Sequence, residues 1–160
     1  MEFANSIRET KRDETIRRVR ESDRLIYDTI HRDAAAVAAQ IEKIHAEEAP
    51  LYYNSEQFLR SVIKRAYFSY ADEYLKFEEL PSGNGYADIV YLPKRASILP
   101  ALLIELKWNK SAEGAIAQIK HKHYPDAIRD YGGEILLVGI NYDKDAPAGE
   151  RKHTCVIEKG

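Results

Sequence analysis

Ala101-Leu102-Leu103-Ile104-Glu105-Leu106-Lys107-Trp108 opens as a continuous apolar run, the pattern of a strand buried on both faces of a sheet. Glu105 and Lys107 then interrupt it. Side chains two apart on a strand share a face, about 7 Å apart along the chain, so these two point the same way. Charges at the end of a core strand are costly unless they are paired or bound to a metal. Upstream, Gly85-Tyr86-Ala87-Asp88-Ile89-Val90 reads as a second strand. If the two strands pair, one face carries the carboxylates of Asp88 and Glu105 beside the Lys107 ammonium. Two carboxylates suit a hard divalent cation, and a lysine beside them steadies a phosphoryl oxygen or polarises a water. The other reading of Glu105 and Lys107 is an ion pair at a sheet edge, and of Asp88 a carboxylate held by the Gly83-Asn84-Gly85 turn.

Asp88 followed by Glu105-Leu106-Lys107 resembles the bipartite D…ExK signature of the PD-(D/E)XK nuclease superfamily. The surrounding text is more specific. Glu79 to Val90, Pro100 to Lys107, Trp108-Asn109-Lys110-Ser111-Ala112-Glu113-Gly114-Ala115-Ile116-Ala117-Gln118-Ile119-Lys120 and Leu136 to Asp143 together resemble one branch of it. That branch is the nuclease-like domain at the C-terminus of bacterial and archaeal proteins with a P-loop ATPase-like N-terminal domain. The similarity runs from about Ala34 to Glu158.

The resemblance implies Mg²⁺ or Mn²⁺ held by Asp88, Glu105 and the backbone carbonyl of Leu106, with Lys107 at the attacking water or the developing charge. An ammonium beside carboxylates favours that electrostatic role over general base. Glu56 matches the family's additional acid, which positions metal-bound water; an acid in the first turn of a helix is also favourable on its own account. Gln118 takes a supporting place beside the lysine, and Lys122 a place near phosphate. Lys110 is the second candidate for nucleic-acid contact. Gln118, His121 and Lys122 share a helix face, which also reads as an ordinary solvated surface. Trp108 reads as a packing residue.

The 160 residues, 44% hydrophobic and 31% charged, make one domain of a globular chain the default. No run reaches the length of a membrane span and no signal peptide is evident. A lone Cys155 excludes an internal disulfide or a cysteine-based zinc cluster, and the cytoplasm is the natural compartment. His31, His45, His121, His123 and His153 are scattered with no zinc spacing, and none reads as a metal ligand. A net charge of −2 argues against a dedicated basic DNA binder but leaves room for local basic patches. No Walker-type motif is present, so an ATPase would belong to another domain or partner.

Along the chain, residues 1–33 are expected to form a charged N-terminal helix or linker, and residues 34–160 the nuclease-like domain. Asp33 can cap a helix whose stripe is Ala34, Val37, Ala38, Ile41 and Ile44; a second begins with a capping box at Asn54 and Gln57. Strands follow at Tyr74–Leu80, Tyr86–Leu92 and Ala101–Trp108, then a helix from about Ala112 to Arg129, kinked at Pro125 or giving way there to a new segment, closed by Gly132-Gly133, with Tyr124 toward the core. Strands at Glu134–Tyr142 and Thr154–Glu158 end the chain. The expected fold is an α/β (α+β) sandwich: a restriction-endonuclease-like core with a central mixed sheet flanked by helices and extra N-terminal helices. The expected function is metal-dependent cleavage of phosphodiesters, DNA before RNA. The alternative is a catalytically idle nuclease-fold module that binds protein or nucleic acid. A homodimer contact is sought on the N-terminal helix.

Overall fold

The computed structural model describes residues 2–48, 56–69, 73–82, 85–95, 97–122, 128–131 and 133–160. Helices α1 (Glu2–Ile30), α2 (Ala34–Glu48) and α3 (Glu56–Ala66) precede strands β1 (Tyr74–Ser82), β2 (Gly85–Pro93) and β3 (Ala101–Trp108). Helix α4 (Ala112–His121), a short 3₁₀ turn at Arg129–Tyr131, β4 (Ile135–Tyr142) and β5 (His153–Lys159) complete the chain. The five strands lie in the order β1-β2-β3-β4-β5. Only β3 and β4 run parallel among these neighbours, because α4 carries the chain back between them; the other pairs are antiparallel. This is the mixed sheet flanked by helices that the sequence leads one to expect.

Strand alternation divides the core into two layers. Leu102, Ile104 and Leu106 of β3 pack with Leu136, Val138 and Ile140 of β4 against Leu25, Ile41, Leu59 and Ile63 from α1–α3. Ala101 and Leu103 point the other way, with Val90 and Leu137, onto Ile116 and Ile119 of α4. The eight-residue β3 is buried through Leu106 because helices cover both its faces.

The turn between α1 and α2 is a Schellman motif built without glycine. Arg32 takes a left-handed conformation at φ 59°, and the Asp33 and Arg32 amides donate to the carbonyls of Asp28 and Thr29. Asp33 then caps α2, its carboxylate accepting the Ala36 amide at 3.1 Å. The buried polar groups of α1 are met in kind: Asp28 accepts from Gln40 Nε2 at 2.6 Å, and Thr29 Oγ1 meets the Tyr67 hydroxyl at 2.8 Å.

One departure from the expected elements stands out. Helix α4 ends at His121, with Lys122 as its C-cap donating its amide to the Gln118 carbonyl, rather than continuing to Arg129. The Asn54 cap, the Gly83-Asn84 turn, Tyr124, Pro125 and Gly132 lie outside the described residues, although the Ser82–Gly85 pairing closes the expected hairpin. No helix among the described residues is long and apolar enough to cross a membrane.

Candidate active site

Glu105 and Lys107 occupy the carboxyl end of β3 on the face covered by α4. In parallel α/β arrangements this end of the strands is where ligands bind. Glu105 is 3% exposed, so its charge is withdrawn from bulk water and must be answered locally. Lys107 Nζ lies 3.9 Å from Glu105 Oε1, too far for a hydrogen bond. Gln118 closes that gap: Lys107 Nζ donates to its Oε1, and its Nε2 donates to Glu105 Oε1. An amide suits this place because it offers an acceptor to the ammonium and a donor to the carboxylate, and only one orientation satisfies both.

Gln118 reaches the strand because α4 lies unusually close to the sheet. Gly139 of β4 pairs in register with Glu105. A Cβ there would fall on the Ala112 carbonyl oxygen and press on Ala115 Cβ and Ile116 Cγ1, each 3.1 Å away. The missing side chain is thus what seats α4. Ser111 caps the helix, its Oγ accepting the Gly114 amide at 2.9 Å.

Residue 88 belongs to β2. The β2–β3 register pairs Ile89 with Ile104, and counted one step further it sets position 88 level with Glu105. The Asp88 and Glu56 side chains lie outside the described residues; Glu56 is the first residue of α3. Leu106 turns its side chain, 2% exposed, into the opposite layer. Lys110 is exposed in the turn after β3, and Lys122 sits one helical turn beyond Gln118. Among the described residues, no cluster of three or more histidine, cysteine, aspartate or glutamate side chains is placed to hold a metal ion.

Two features were not visible along the chain. Asn141, 3% exposed, is the ladder partner of Lys107, and its Oδ1 accepts the Lys110 amide at 3.0 Å. A single polar residue directly after the apolar Ile135-Leu136-Leu137-Val138-Gly139-Ile140 run, before Tyr142, was the available signal. The second is a buried pair made from two of the scattered histidines. His153 Nδ1 donates to Glu42 Oε2, which also takes the His153 amide at 2.9 Å. A carboxylate only accepts, so in the neutral ring Nε2 holds the lone pair, and His45 Nδ1 donates to it at 2.7 Å. Burial pushes His45 down to about 4, helped by the neighbouring His153 charge, and burial also lowers His153 against the pull of Glu42. Burial raises Glu42, but the hydrogen bond and charge of His153 outweigh it and leave the carboxyl below its ordinary value. Tyr142 lies against both imidazoles, its ring centre 4.9 Å from each, and stacks on Trp108 at 4.4 Å. Trp108 therefore packs within the fold.

The family model of the PD-(D/E)XK nuclease superfamily matches residues 54–149. No curated protein matches the chain.

Proposed function

We propose that this chain, which belongs to the PD-(D/E)XK nuclease superfamily, is a divalent-metal-dependent nuclease acting on DNA. The observation that carries the reading is the partly buried line Glu105–Gln118–Lys107 at the carboxyl end of β3, level with position 88. The expected donors are carboxylates of Asp88, Glu105 and Glu56 with the Leu106 carbonyl. These are hard oxygen ligands, which fit Mg²⁺ or Mn²⁺ rather than a thiophilic ion. Such a cation, when bound, lowers the pKa of a coordinated water and polarises the phosphoryl oxygen. Glu105 is fixed by Gln118 and cannot swing away from its post. Lys107, held by the same amide, presents its ammonium to charge developing on the phosphate. The partially enclosed setting strengthens that interaction relative to water.

A second reading, a nuclease-fold module that binds without cutting, draws on α1, whose residues 5–20 are all exposed. That surface is the candidate contact for an ATPase-like domain, another protein or a second copy.

The test is calorimetric titration of Mn²⁺ into wild type and Asp88→Asn, followed by incubation with linear and supercoiled DNA. The nuclease reading expects binding and cutting by wild type and neither by Asp88→Asn. Lys107→Ala should lose at least 100-fold in cleavage, and Gln118→Ala about 10- to 100-fold, with both still folded. Undiminished cleavage by Asp88→Asn and Lys107→Ala would end the assignment; metal binding without cutting would favour the binding module.

A further inference from the structure

Strands β3 and β4 end side by side at the site, and the turns leaving them are stitched together by two asparagines. The Asn109 amide donates to the Tyr142 carbonyl at 2.7 Å, carrying the ladder one step past the strands. Asn141 Oδ1, from the end of β4, accepts the Lys110 amide of the first turn. Asn109 Oδ1, from that turn, accepts the Lys144 amide of the second at 2.8 Å. The exchange is reciprocal: each turn's lysine is held through its backbone by an asparagine of the other strand connection. Asn109 reaches across because its backbone is left-handed at φ 53°, a conformation asparagine tolerates better than most residues.

The consequence is that two exposed lysines leave fixed points on neighbouring connections, from strands about 4.8 Å apart. Lys110 stands three residues beyond Lys107, and Lys144 two beyond Tyr142, the partner of Trp108. The acids nearby are accounted for in part: Asp143 Oδ1 accepts the Asp145 amide at 3.0 Å and folds that carboxylate into its own turn. Glu113 lies in the first turn of α4, whose amino end faces the same turn and adds partial positive charge. A pair of exposed lysines leaving the carboxyl ends of β3 and β4, with their backbones pinned, is suited to phosphate oxygens rather than to a buried carboxylate.

We infer that Lys110 and Lys144, positioned by Asn141 and Asn109, form a clamp for backbone phosphates of the DNA strand flanking the one presented to Lys107. This rests on the nuclease reading for its choice of ligand, but it predicts binding that needs no cleavage. Lys144, Asn109 and Asn141 act as positioning and binding residues outside the D…ExK signature.

The test is fluorescence anisotropy of a short duplex with the full chain in EDTA, over 50 to 200 mM KCl. Each phosphate contact contributes about 0.9 to the slope of log K against log salt. Lys110→Ala and Lys144→Ala should each reduce the slope by about 1 and the double variant by about 2. Lys94→Ala, on the connection after β2, should leave it unchanged. Asn109→Gly keeps the left-handed backbone and both charges, so affinity should fall several-fold at every salt with the slope retained. Equal slopes for wild type and the double variant, an equal loss in Lys94→Ala, or no duplex binding by wild type would each overturn the clamp. Metal-dependent cutting by wild type with an unchanged slope in the double variant would leave the nuclease reading standing without it. Binding with the predicted slopes but no cutting under any metal would do the reverse.

Discussion

At the scale of single residues, the chain keeps its most consequential polar groups under cover and answers them with partners brought in from other elements. Gln118 does so between Glu105 and Lys107. Glu42, His153 and His45 do so in line on the other side of the sheet. The second arrangement makes stability depend on pH. His45 has a folded value of about 4 against an ordinary 6.5, so between those values the unfolded chain binds the proton that the folded chain refuses. Stability is therefore complete above about pH 6.5 and declines as pH falls toward 4, and the lowered Glu42 and His153 act in the same direction. The expected loss is on the order of 2 kcal/mol once solvent screening is allowed for. Urea denaturation at pH 7.5 and pH 4.5 measures it. His45→Phe keeps the ring beside Phe58 and Tyr142 but deletes the hydrogen bond; it should start about 1 kcal/mol lower and lose less on acidification. Parallel pH profiles for the two proteins would refute this account. Glu105, Lys107 and Gln118 were legible as candidates because a charged pair at the end of an apolar strand, inside a familiar text, is a local pattern. The histidines were not, since His45 and His153 are 108 residues apart and nothing in their spacing joins them.

At the scale of elements, the placement of α4 decides whether Gln118 joins Glu105 to Lys107. A strand supplies Glu105 and Lys107 on one face, but the amide that couples them arrives only if the helix approaches closely at Gly139. Gly139→Ala should lift or tilt α4, costing about 1–3 kcal/mol from overpacking against backbone. Cleavage should fall with it because Gln118 withdraws. Thermal unfolding and the cleavage assay together test this, and an unaltered melting temperature with full activity would show that α4 tolerates the shift. The order and kind of the elements followed from hydrophobic period and turn residues. The end of α4 did not: its apolar stripe at Ala112, Ala115, Ile116 and Ile119 runs out, and the helix stops at His121 well before the expected Arg129.

At the scale of the whole molecule, α1 is two things in one helix of 29 residues. Residues 5–20 are exposed throughout, while from Ser22 onward Leu25, Ile26, Asp28 and Thr29 are buried against α2 and α3. Deleting residues 1–20 should leave the melting temperature within a few degrees. Deleting residues 1–33 removes Leu25 and Ile26, each worth about 2 kcal/mol of burial, together with the partners of Gln40 and Tyr67, and should unfold the chain or nearly so. Equal melting temperatures for the two deletions would instead support treating residues 1–33 as separate from the domain that follows. The amino-acid sequence by itself determined the element order, the central strand, the D…ExK text and the likeness to a nuclease family, because these are local patterns of period, charge and wording. Tertiary structure alone decided that Gln118 bridges Glu105 and Lys107, that Gly139 admits α4, that Asn109 and Asn141 bind two turns together, and that His45 meets His153. Each of these depends on distances between segments far apart in the chain, which are set by packing and carry no signature in spacing.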